Sequence, residues 1–217
     1  IWGMASTQLI GRGTMFTPFP LMVAPMEAEL GWSRVLLNAA YTAGLLAAGL
    51  LAVPAGRWFD RHGARGMMGL GTAAAALLLV AWSLVRDPVA YVAIWVLIGI
   101  AQAACLWGTA MAVVVAEAKD ATRTITAITF ITGFTGTVFL PVTEGLIALL
   151  GWRGALQVLA ALQFGAAVLT FAMLRHARVP SVSGPARAGP PLLRRMREPA
   201  FLGLALCFAA HAFIGTG

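Results

Sequence analysis

Long runs without a charged residue constrain this chain more than any other feature. Residues 35–56 form an uncharged run of 22, residues 66–85 one of 20 and residues 88–116 one of 29. A helix needs about 20 mainly apolar residues to cross the hydrocarbon core of a bilayer. Hydrophobic residues make up 60% of the chain and charged residues 11%, and the mean hydropathy is +0.86. This composition excludes a water-soluble globule and predicts an all-α membrane protein.

The runs predict six complete transmembrane helices and part of a seventh. The first run extends from residue 1 to about residue 26 and contains one charge, Arg12; the later spans begin near residues 35, 66, 88, 124 and 154. Residues 1–174 are therefore predicted to form a six-helix bundle. Residues 175–198 are basic and rich in proline and glycine, which predicts a linker, and residues 199–217 would begin a second bundle. Because the chain starts without Met and stops inside an apolar run, we expect it to be part of a longer protein.

Lysine and arginine are distributed unequally between the two sides of the predicted bundle. Eleven lie after spans 2, 4 and 6, whereas the opposite loops contain three. The positive-inside bias predicts that the richer side, including the 56–66 loop and the linker, is cytoplasmic in a plasma membrane, the inner membrane of a bacterium. The net charge of +7 then reflects membrane orientation rather than nucleic-acid binding, because no nucleic-acid motif accompanies it.

Residues 56–65, of which five are charged or titratable, separate the second and third spans and predict a tight turn between them. Their pattern resembles the G-x-x-x-D-R-x-G-x-R signature between the second and third helices of the major facilitator superfamily, although Gly66 stands where the family usually has another basic residue. The resemblance implies a major facilitator type helical bundle, with a second six-helix bundle of the same chain as its partner. It also implies that the segment is a cytoplasmic latch that gates the transporter. The matching residues are Gly56, Asp60, Arg61, Gly63 and Arg65.

Two further segments resemble one branch of that superfamily. Residues 29–34 (Glu-Leu-Gly-Trp-Ser-Arg) and 151–154 (Gly-Trp-Arg-Gly) are similar to segments of the monocarboxylate and oxalate/formate transporters. This likeness implies a small organic anion as substrate and favours proton symport. The Gly-Pro pair of antiporter members is absent from span 5, so antiport is not supported.

Arg12 is the sharpest candidate for substrate contact. It lies near the middle of the first span, and Gln8 lies one helical turn away on the same face. A charge in the membrane interior is costly and usually faces a cavity or a partner. A guanidinium can hold a carboxylate through two parallel hydrogen bonds. Two alternatives are that Arg12 pairs with an acid in the absent bundle, or that it extends towards the membrane surface.

Other polar residues within the spans complete the candidate site, although each alone can equally form an interhelical hydrogen bond. The predicted substrate-binding residues are Arg12, Gln8, Tyr41, Asn38, Gln102 and Trp107. His211 and Glu144 are the candidates for proton coupling, because an imidazole titrates near neutral pH and a carboxylate can also exchange a proton. Cys105 and Cys207 lie in apolar runs, so we expect no metal site and no cofactor.

These observations predict a secondary active transporter that moves a small organic anion by alternating access with proton coupling. The alternatives are a drug or metabolite exporter of the same superfamily and a membrane sensor that keeps the fold without transporting. The chain contains neither an H-E-x-x-H nor a G-x-S-x-G motif, so we expect no enzyme activity.

Overall fold

A computed structural model describes residues 2–62, 64–105 and 121–174, and these residues form seven helices without any strand. The helices are α1 (Trp2–Met15), α2 (Phe19–Leu30), α3 (Arg34–His62), α4 (Ala64–Leu84), α5 (Pro88–Cys105), α6 (Ala121–Gly133) and α7 (Thr135–Leu174). The predicted linker and seventh span lie outside the described residues. The all-α prediction is confirmed.

Four stretches within the described residues are long and apolar enough to cross a membrane. They are Arg34–Ala52, Met67–Leu84, Pro88–Cys105 and Thr122–Met173. The last has 52 residues, which at 1.5 Å per residue is about 78 Å, more than twice the thickness of a bilayer core. Gly151 divides this stretch, because its φ of 70° and ψ of 171° are not helical and glycine adopts a positive φ without steric cost. The stretch therefore supplies spans 5 and 6.

The first span differs from the single helix that the sequence predicts. It consists of α1 and α2, separated by a turn at residues 16–18. Pro18 lies at the N-cap of α2, and Pro20 follows in its first turn. Backbone N–H groups in the first turn of a helix have no acceptor within the helix, so a proline there removes no hydrogen bond. An apolar run shows that a segment belongs in the membrane but does not show whether its helix is continuous. Span 1 is a broken helix, and the break follows directly after the turn that contains Arg12.

The charged segment between spans 2 and 3 is more helical than the sequence predicts. We expected a tight turn over residues 56–65, but α3 continues to His62 and α4 begins at Ala64. Charged residues end an apolar run without ending a helix, because their side chains are compatible with helical backbone once it leaves the bilayer. Position 63 alone stands between the two helices, and Gly63 lies outside the described residues. Gly56 lies in α3.

Contacts among the first three spans and the last three spans have counterparts in each other. α3 packs mainly against α5, and α4 packs against α5 and α7. α1 packs against α6 and α7: a Cβ on Gly13 would meet the ring of Phe139, and Thr14 donates a hydrogen bond to Gln163 at 2.7 Å. Span 2 contacts span 4. The equivalent pair when the two halves are exchanged is span 5 and span 1, and these two are also in contact. Contacts of this kind are typical of transporter folds built from inverted repeats.

A cluster of polar contacts joins three spans at one end of the bundle. Glu29, at the end of α2, accepts hydrogen bonds from Trp152 Nε1 at 2.5 Å and from Arg153 Nε at 2.9 Å. Arg153 also donates to the carbonyl oxygens of Ser83 at 2.6 Å and Val85 at 3.2 Å. We name these residues the Glu29 clamp. It brings together residues 29–34 and 151–154, the two segments that resemble the monocarboxylate branch, and fixes α2 to the end of α4 and the start of span 6.

Replacing Glu29 by glutamine is expected to destabilise the fold in a pH-dependent way. The hydrogen bonds from Arg153 and Trp152 lower the pKa of Glu29 below its ordinary value of 4.5. A lowered pKa stabilises the folded state above about pH 4.5, and this contribution is lost as the pH falls through the lowered value. Glu29→Gln should therefore reduce the Tm of the detergent-purified protein at about pH 7, and the difference from wild type should narrow towards about pH 3.

Glu27→Gln is the matched control, because Glu27 is a carboxylate of the same α2 end that pairs with Arg34 at 2.6 Å and not with Arg153. Its effect on the Tm should be smaller, since Glu27 pairs with one well-exposed arginine, whereas Glu29 accepts hydrogen bonds from Trp152 and from the less exposed Arg153. A difference between Glu29→Gln and wild type that stays constant down to about pH 3 would contradict a role for the ionised carboxylate.

Candidate functional site

A cavity of about 390 Å³ lies between the helices of spans 1, 2, 4 and 5. It is lined by Gln8, Arg12, Phe16, Tyr41, Leu45, Ala48, Gln102, Ala103 and Thr132. A larger cavity of about 710 Å³ lies between α3, α4 and α5, but its lining consists of apolar side chains and one glycine. A polar substrate needs a few well-placed polar groups to orient it. The smaller cavity provides them and is the candidate site.

Two backbones approach closely beside the candidate cavity. α3 and α5 cross at Gly44 and Gly99, where a Cβ added to Gly99 would collide with the carbonyl oxygen of Gly44. A Cβ added to Gly44 would lie 2.6 Å from the carbonyl oxygen of Trp95. Small residues allow such contact between membrane helices. The crossing brings Tyr41 and Leu45 of α3 opposite the turn of α5 that carries Gln102.

Arg12 presents an exposed, positively charged side chain to this cavity. No carboxylate whose side chain the structure describes forms an ion pair with it. Arg12 lies in the last turn of α1, and its carbonyl oxygen accepts a hydrogen bond from Phe16 N at 3.1 Å. The C-terminal end of a helix carries partial negative charge that favours a cation. The break in span 1 therefore places Arg12 at a helix end whose partial charge is favourable to a cation.

Two buried glutamines line the same cavity and differ in their hydrogen bonding. Gln8 is 3% exposed and donates from Nε2 to the carbonyl oxygen of Cys105 at 3.2 Å, so the last turn of α5 fixes its side chain. Gln102 is 5% exposed, and its Oε1 has no hydrogen-bond partner in the part of the chain that the structure describes. The lining thus contains one anchored amide and one amide whose carbonyl oxygen is buried without a partner among the described residues.

Aromatic rings support the wall of the cavity that Tyr41 forms. The Tyr41 ring stacks on Phe19, with centroids 4.2 Å apart and an interplanar angle of 9°. It also meets Trp95 edge to face at 5.0 Å, and Trp95 meets Trp82 at 4.9 Å. Offset and edge-to-face pairs are favourable arrangements of aromatic rings. Because Phe19, Trp82 and Trp95 are buried, the Tyr41 ring has little freedom to move.

Comparison with known protein families identifies the architecture. A family model described as Major Facilitator Superfamily matches residues 4–217. The chain belongs to the Major Facilitator Superfamily. No match to a curated protein was found. The superfamily assignment made from residues 56–65 is confirmed, and the chain is an integral membrane protein of a transporter superfamily whose members bind small molecules.

In this Major Facilitator Superfamily protein, four of the six predicted substrate-binding residues line one cavity: Gln8, Arg12, Tyr41 and Gln102. Asn38 lies one turn before Tyr41 in α3, outside the lining, and its Nδ2 donates to the carbonyl oxygen of Arg34 at 2.8 Å. Trp107 lies outside the described residues. The structure therefore brings together the polar residues of α1, α3 and α5 but leaves Asn38 at the end of the bundle.

The other predicted site residues lie away from the cavity of this transporter or outside the described structure. Glu144 is exposed on α7 and does not line the cavity. His211 and Gly63 fall outside the described residues. The backbone of Asp60 and Arg61 is helical in α3 and that of Arg65 is helical in α4. Their side chains are not among those described, so the predicted latch stays a prediction.

Thr132 lines the cavity of the transporter although sequence reasoning did not select it. Span 5 contains several threonines at helical spacing, and threonine commonly bonds to its own helix. The Oγ1 atom of Thr132 does so, with the carbonyl oxygens of Ile128 at 2.9 Å and Thr129 at 3.1 Å. No feature of the sequence distinguishes Thr132 from the exposed Thr129 one turn earlier. The rotation of α6 about its own axis places Thr132 in the lining, and only the structure shows this rotation.

Proposed function

We propose that this transporter moves a small organic anion with a carboxylate group, and that Arg12 binds the carboxylate. The observation that supports the proposal is the position of the guanidinium in a cavity of about 390 Å³ without an acidic partner among the described residues. Alternating access of the cavity to the two sides of the membrane would follow from the superfamily.

The electrostatics of the cavity favour an anion over a neutral or cationic substrate. An unpaired charge in a poorly hydrated site is costly, and a carboxylate relieves that cost through charge-assisted hydrogen bonds. A cationic substrate would meet the like charge of Arg12 and no carboxylate among the described lining residues. Gln8, Gln102 and Tyr41 add polar groups around the charge, and Phe16 and Leu45 add apolar contacts. The lining suits an organic anion better than a cationic drug.

Proton coupling is part of the same proposal. None of the described lining residues is a carboxylic acid or a histidine, and Glu144 is exposed outside the cavity. The coupling proton would therefore bind His211 in the seventh span, or Glu144 if the second bundle covers it. An imidazole is suited to this role because its pKa lies near neutral pH.

Uptake into proteoliposomes tests the proposed function. Labelled monocarboxylates should enter saturably, and an inward proton gradient should increase the initial rate several-fold, because the proton gradient supplies the driving force in symport. A collapsed gradient and empty liposomes are the controls. Gradient-driven movement of cationic drugs without carboxylate uptake would instead support an exporter. The absence of any transport by folded protein would support a membrane sensor.

We further propose that Gly56, Asp60, Arg61, Gly63 and Arg65 form a gating latch on the cytoplasmic face, in a plasma membrane such as the bacterial inner membrane. A single residue separates α3 from α4, so the charged residues of the segment are held near the ends of two packed spans. The asymmetric distribution of lysine and arginine supports the orientation.

Replacing Asp60 by asparagine is expected to shift the transporter away from the outward-facing state, because the latch would lose a negative charge between arginines. The measurement is labelling of Leu45→Cys, a position in the cavity wall, with a membrane-impermeant maleimide from the periplasmic side, after Cys105 and Cys207 have been replaced by serine. Labelling should fall at least twofold. Val35→Cys, which is 78% exposed in the native chain, is the control, and equal labelling with and without Asp60→Asn would contradict the latch.

A further inference from the structure

We infer that the cavity of about 710 Å³ between α3, α4 and α5 binds one acyl chain of an anionic phospholipid, whose headgroup lies at the basic segment between α3 and α4. We name this cavity the apolar groove. Its lining includes Trp58 of α3, Met67, Ala74 and Leu78 of α4, and Ala101 of α5. The inference concerns a lipid site and does not depend on which anion the protein transports.

The apolar groove exists because two consecutive helices pack on different partners. A single residue separates α3 from α4, yet α3 packs mainly on α5, and α4 packs mainly on α7. α5 also contacts α4, so it closes the inner side of the gap between α3 and α4. Four exposed apolar residues belong to the lining: Leu70, Leu77, Leu97 and Ile100. The groove therefore opens outwards, on the surface of the described bundle.

The length of the apolar groove matches one leaflet of a bilayer. On α4 its lining extends from Met67 to Leu78, 11 residues further along, which is a rise of about 17 Å. Half of a bilayer hydrocarbon core is about 15 Å. Met67 lies three residues after Ala64, the first residue of α4. An acyl chain that enters at Met67 would thus end near the middle of the membrane.

Positive charge is concentrated at the end of the groove that Trp58 and Met67 line. Residues 57–66 contain three arginines and one aspartate, a net charge of +2 with histidine neutral. The arginines are Arg57, Arg61 and Arg65. A guanidinium can hold a phosphate group through parallel hydrogen bonds, and basic clusters beside membrane helices bind anionic headgroups. An indole ring such as that of Trp58 is favourable at the level of the headgroups. This end therefore suits an anionic phospholipid better than a neutral one.

The apolar groove lies on a different face of α5 from the candidate substrate cavity. Gln102 lines the candidate cavity alone, and Ala101 and Ala104 line the groove alone. Ala103 lies between these positions and lines both. Substrate sites in transporters built from repeats lie where the repeats meet. The second bundle is therefore expected on the side of the candidate cavity, which leaves the groove to a lipid.

Binding of two matched lipids by the purified full-length protein tests the inference. After removal of native lipid in detergent, dioleoyl phosphatidylglycerol and dioleoyl phosphatidylcholine are added separately, and native mass spectrometry counts the bound molecules. The two lipids share their acyl chains and differ in the charge of the headgroup. We expect wild type to bind phosphatidylglycerol about tenfold more tightly, the order of magnitude expected for one or two arginines beside an anionic headgroup. The same lipid should also raise the Tm more.

A variant that fills the apolar groove tests the place of the acyl chain. Ala74→Trp puts a large side chain into the lining on α4 and should remove most of the phosphatidylglycerol binding. Ala93→Trp is the matched control, because Ala93 is exposed on α5 outside the lining, and it should bind as wild type does. Should Ala74→Trp fold poorly, Leu77→Trp, at an exposed position of the same lining, gives the same comparison.

A second variant tests the headgroup. Replacing Arg57, Arg61 and Arg65 together by glutamine should bring the affinities for the two lipids close to each other. Arg86→Gln, which removes an exposed arginine beyond the other end of α4, should preserve the preference for phosphatidylglycerol.

Three results would overturn the inference. The first is equal binding of the two lipids by wild type. The second is a preference for phosphatidylglycerol that persists in the groove-filling variants, because the headgroup would then bind a basic surface without a chain in the groove. The third is the absence of bound lipid in every protein, which would mean that another part of the protein covers the groove. Loss of binding in Ala74→Trp together with loss of the preference in the arginine variant would support the lipid site.

Discussion

Replacing Arg12 by glutamine is expected to reduce carboxylate transport about 100-fold in kcat/KM, equivalent to about 2.7 kcal/mol of lost transition-state stabilisation. The guanidinium is the one positive charge among the described lining residues of the cavity, and glutamine keeps a polar side chain without the charge. Hydrogen bonds between two charged groups are about twice as strong as neutral ones. Binding measured separately, by the thermal shift of the purified protein with substrate, should weaken to a similar degree.

Arg12→Lys distinguishes charge from geometry at the same position. Lysine keeps the positive charge but cannot present two parallel N–H groups to a carboxylate. We expect a loss of about tenfold, intermediate between wild type and Arg12→Gln. Arg86→Gln is the matched control, because Arg86 is exposed in the turn between α4 and α5, away from the cavity. Uptake that survives Arg12→Gln unchanged would remove the proposed anion site.

A second explanation of Arg12 gives a different experimental pattern. If the guanidinium pairs with an acid in the second bundle, Arg12→Gln leaves that acid unpaired within the protein, which is strongly unfavourable. Stability would then fall together with transport, and neutralising the partner acid would restore the stability. In the anion-site proposal, Arg12→Gln removes an unpaired charge, so the stability of the substrate-free protein should stay constant or rise. The Tm without substrate therefore separates the two roles.

The sequence predicted the helical segments well because the length of an apolar run and the position of charges are direct consequences of the bilayer. The α5 helix begins at Pro88 as expected, and α4 ends at Leu84, within one residue of the predicted end of its span. The break in span 1 was not predicted, because hydropathy measures how favourably side chains transfer from water into the membrane. It is insensitive to a turn of the backbone. The extension of α3 to His62 was missed for the related reason that a helix can continue beyond the membrane.

The cavity was partly predictable from helical spacing. Gln8 and Arg12 are four residues apart and necessarily share a face of α1, and both line the cavity. Spacing gives the face of a helix but not the depth of each residue along the bundle, so it could not separate Tyr41 in the cavity wall from Asn38 near the end of α3. It also gave no sign that α3 and α5 touch through Gly44 and Gly99, because that contact depends on the relative position of two helices distant in sequence.

Replacing Gly99 by valine is expected to destabilise the bundle by about 3 kcal/mol, at the upper end of the usual cost of overpacking a core. The added side chain would collide with the Gly44 carbonyl oxygen, and a backbone atom cannot move aside as the tip of a flexible side chain can. α3 and α5 must then separate, which should lower the Tm of the purified protein and reduce carboxylate affinity, because Tyr41 would move away from Gln102.

Gly49→Val is the matched control for this prediction, since Gly49 lies on α3 and a Cβ there would meet nothing within 4 Å. Because valine is at least as compatible with a helix as glycine is, the control should leave the Tm unchanged or raise it slightly. An equal decrease in both variants would mean that the loss comes from a β-branched residue within a helix rather than from the crossing. A decrease confined to Gly99→Val, accompanied by weaker binding, would identify the Gly44–Gly99 contact as the structural element that sets the width of the substrate cavity.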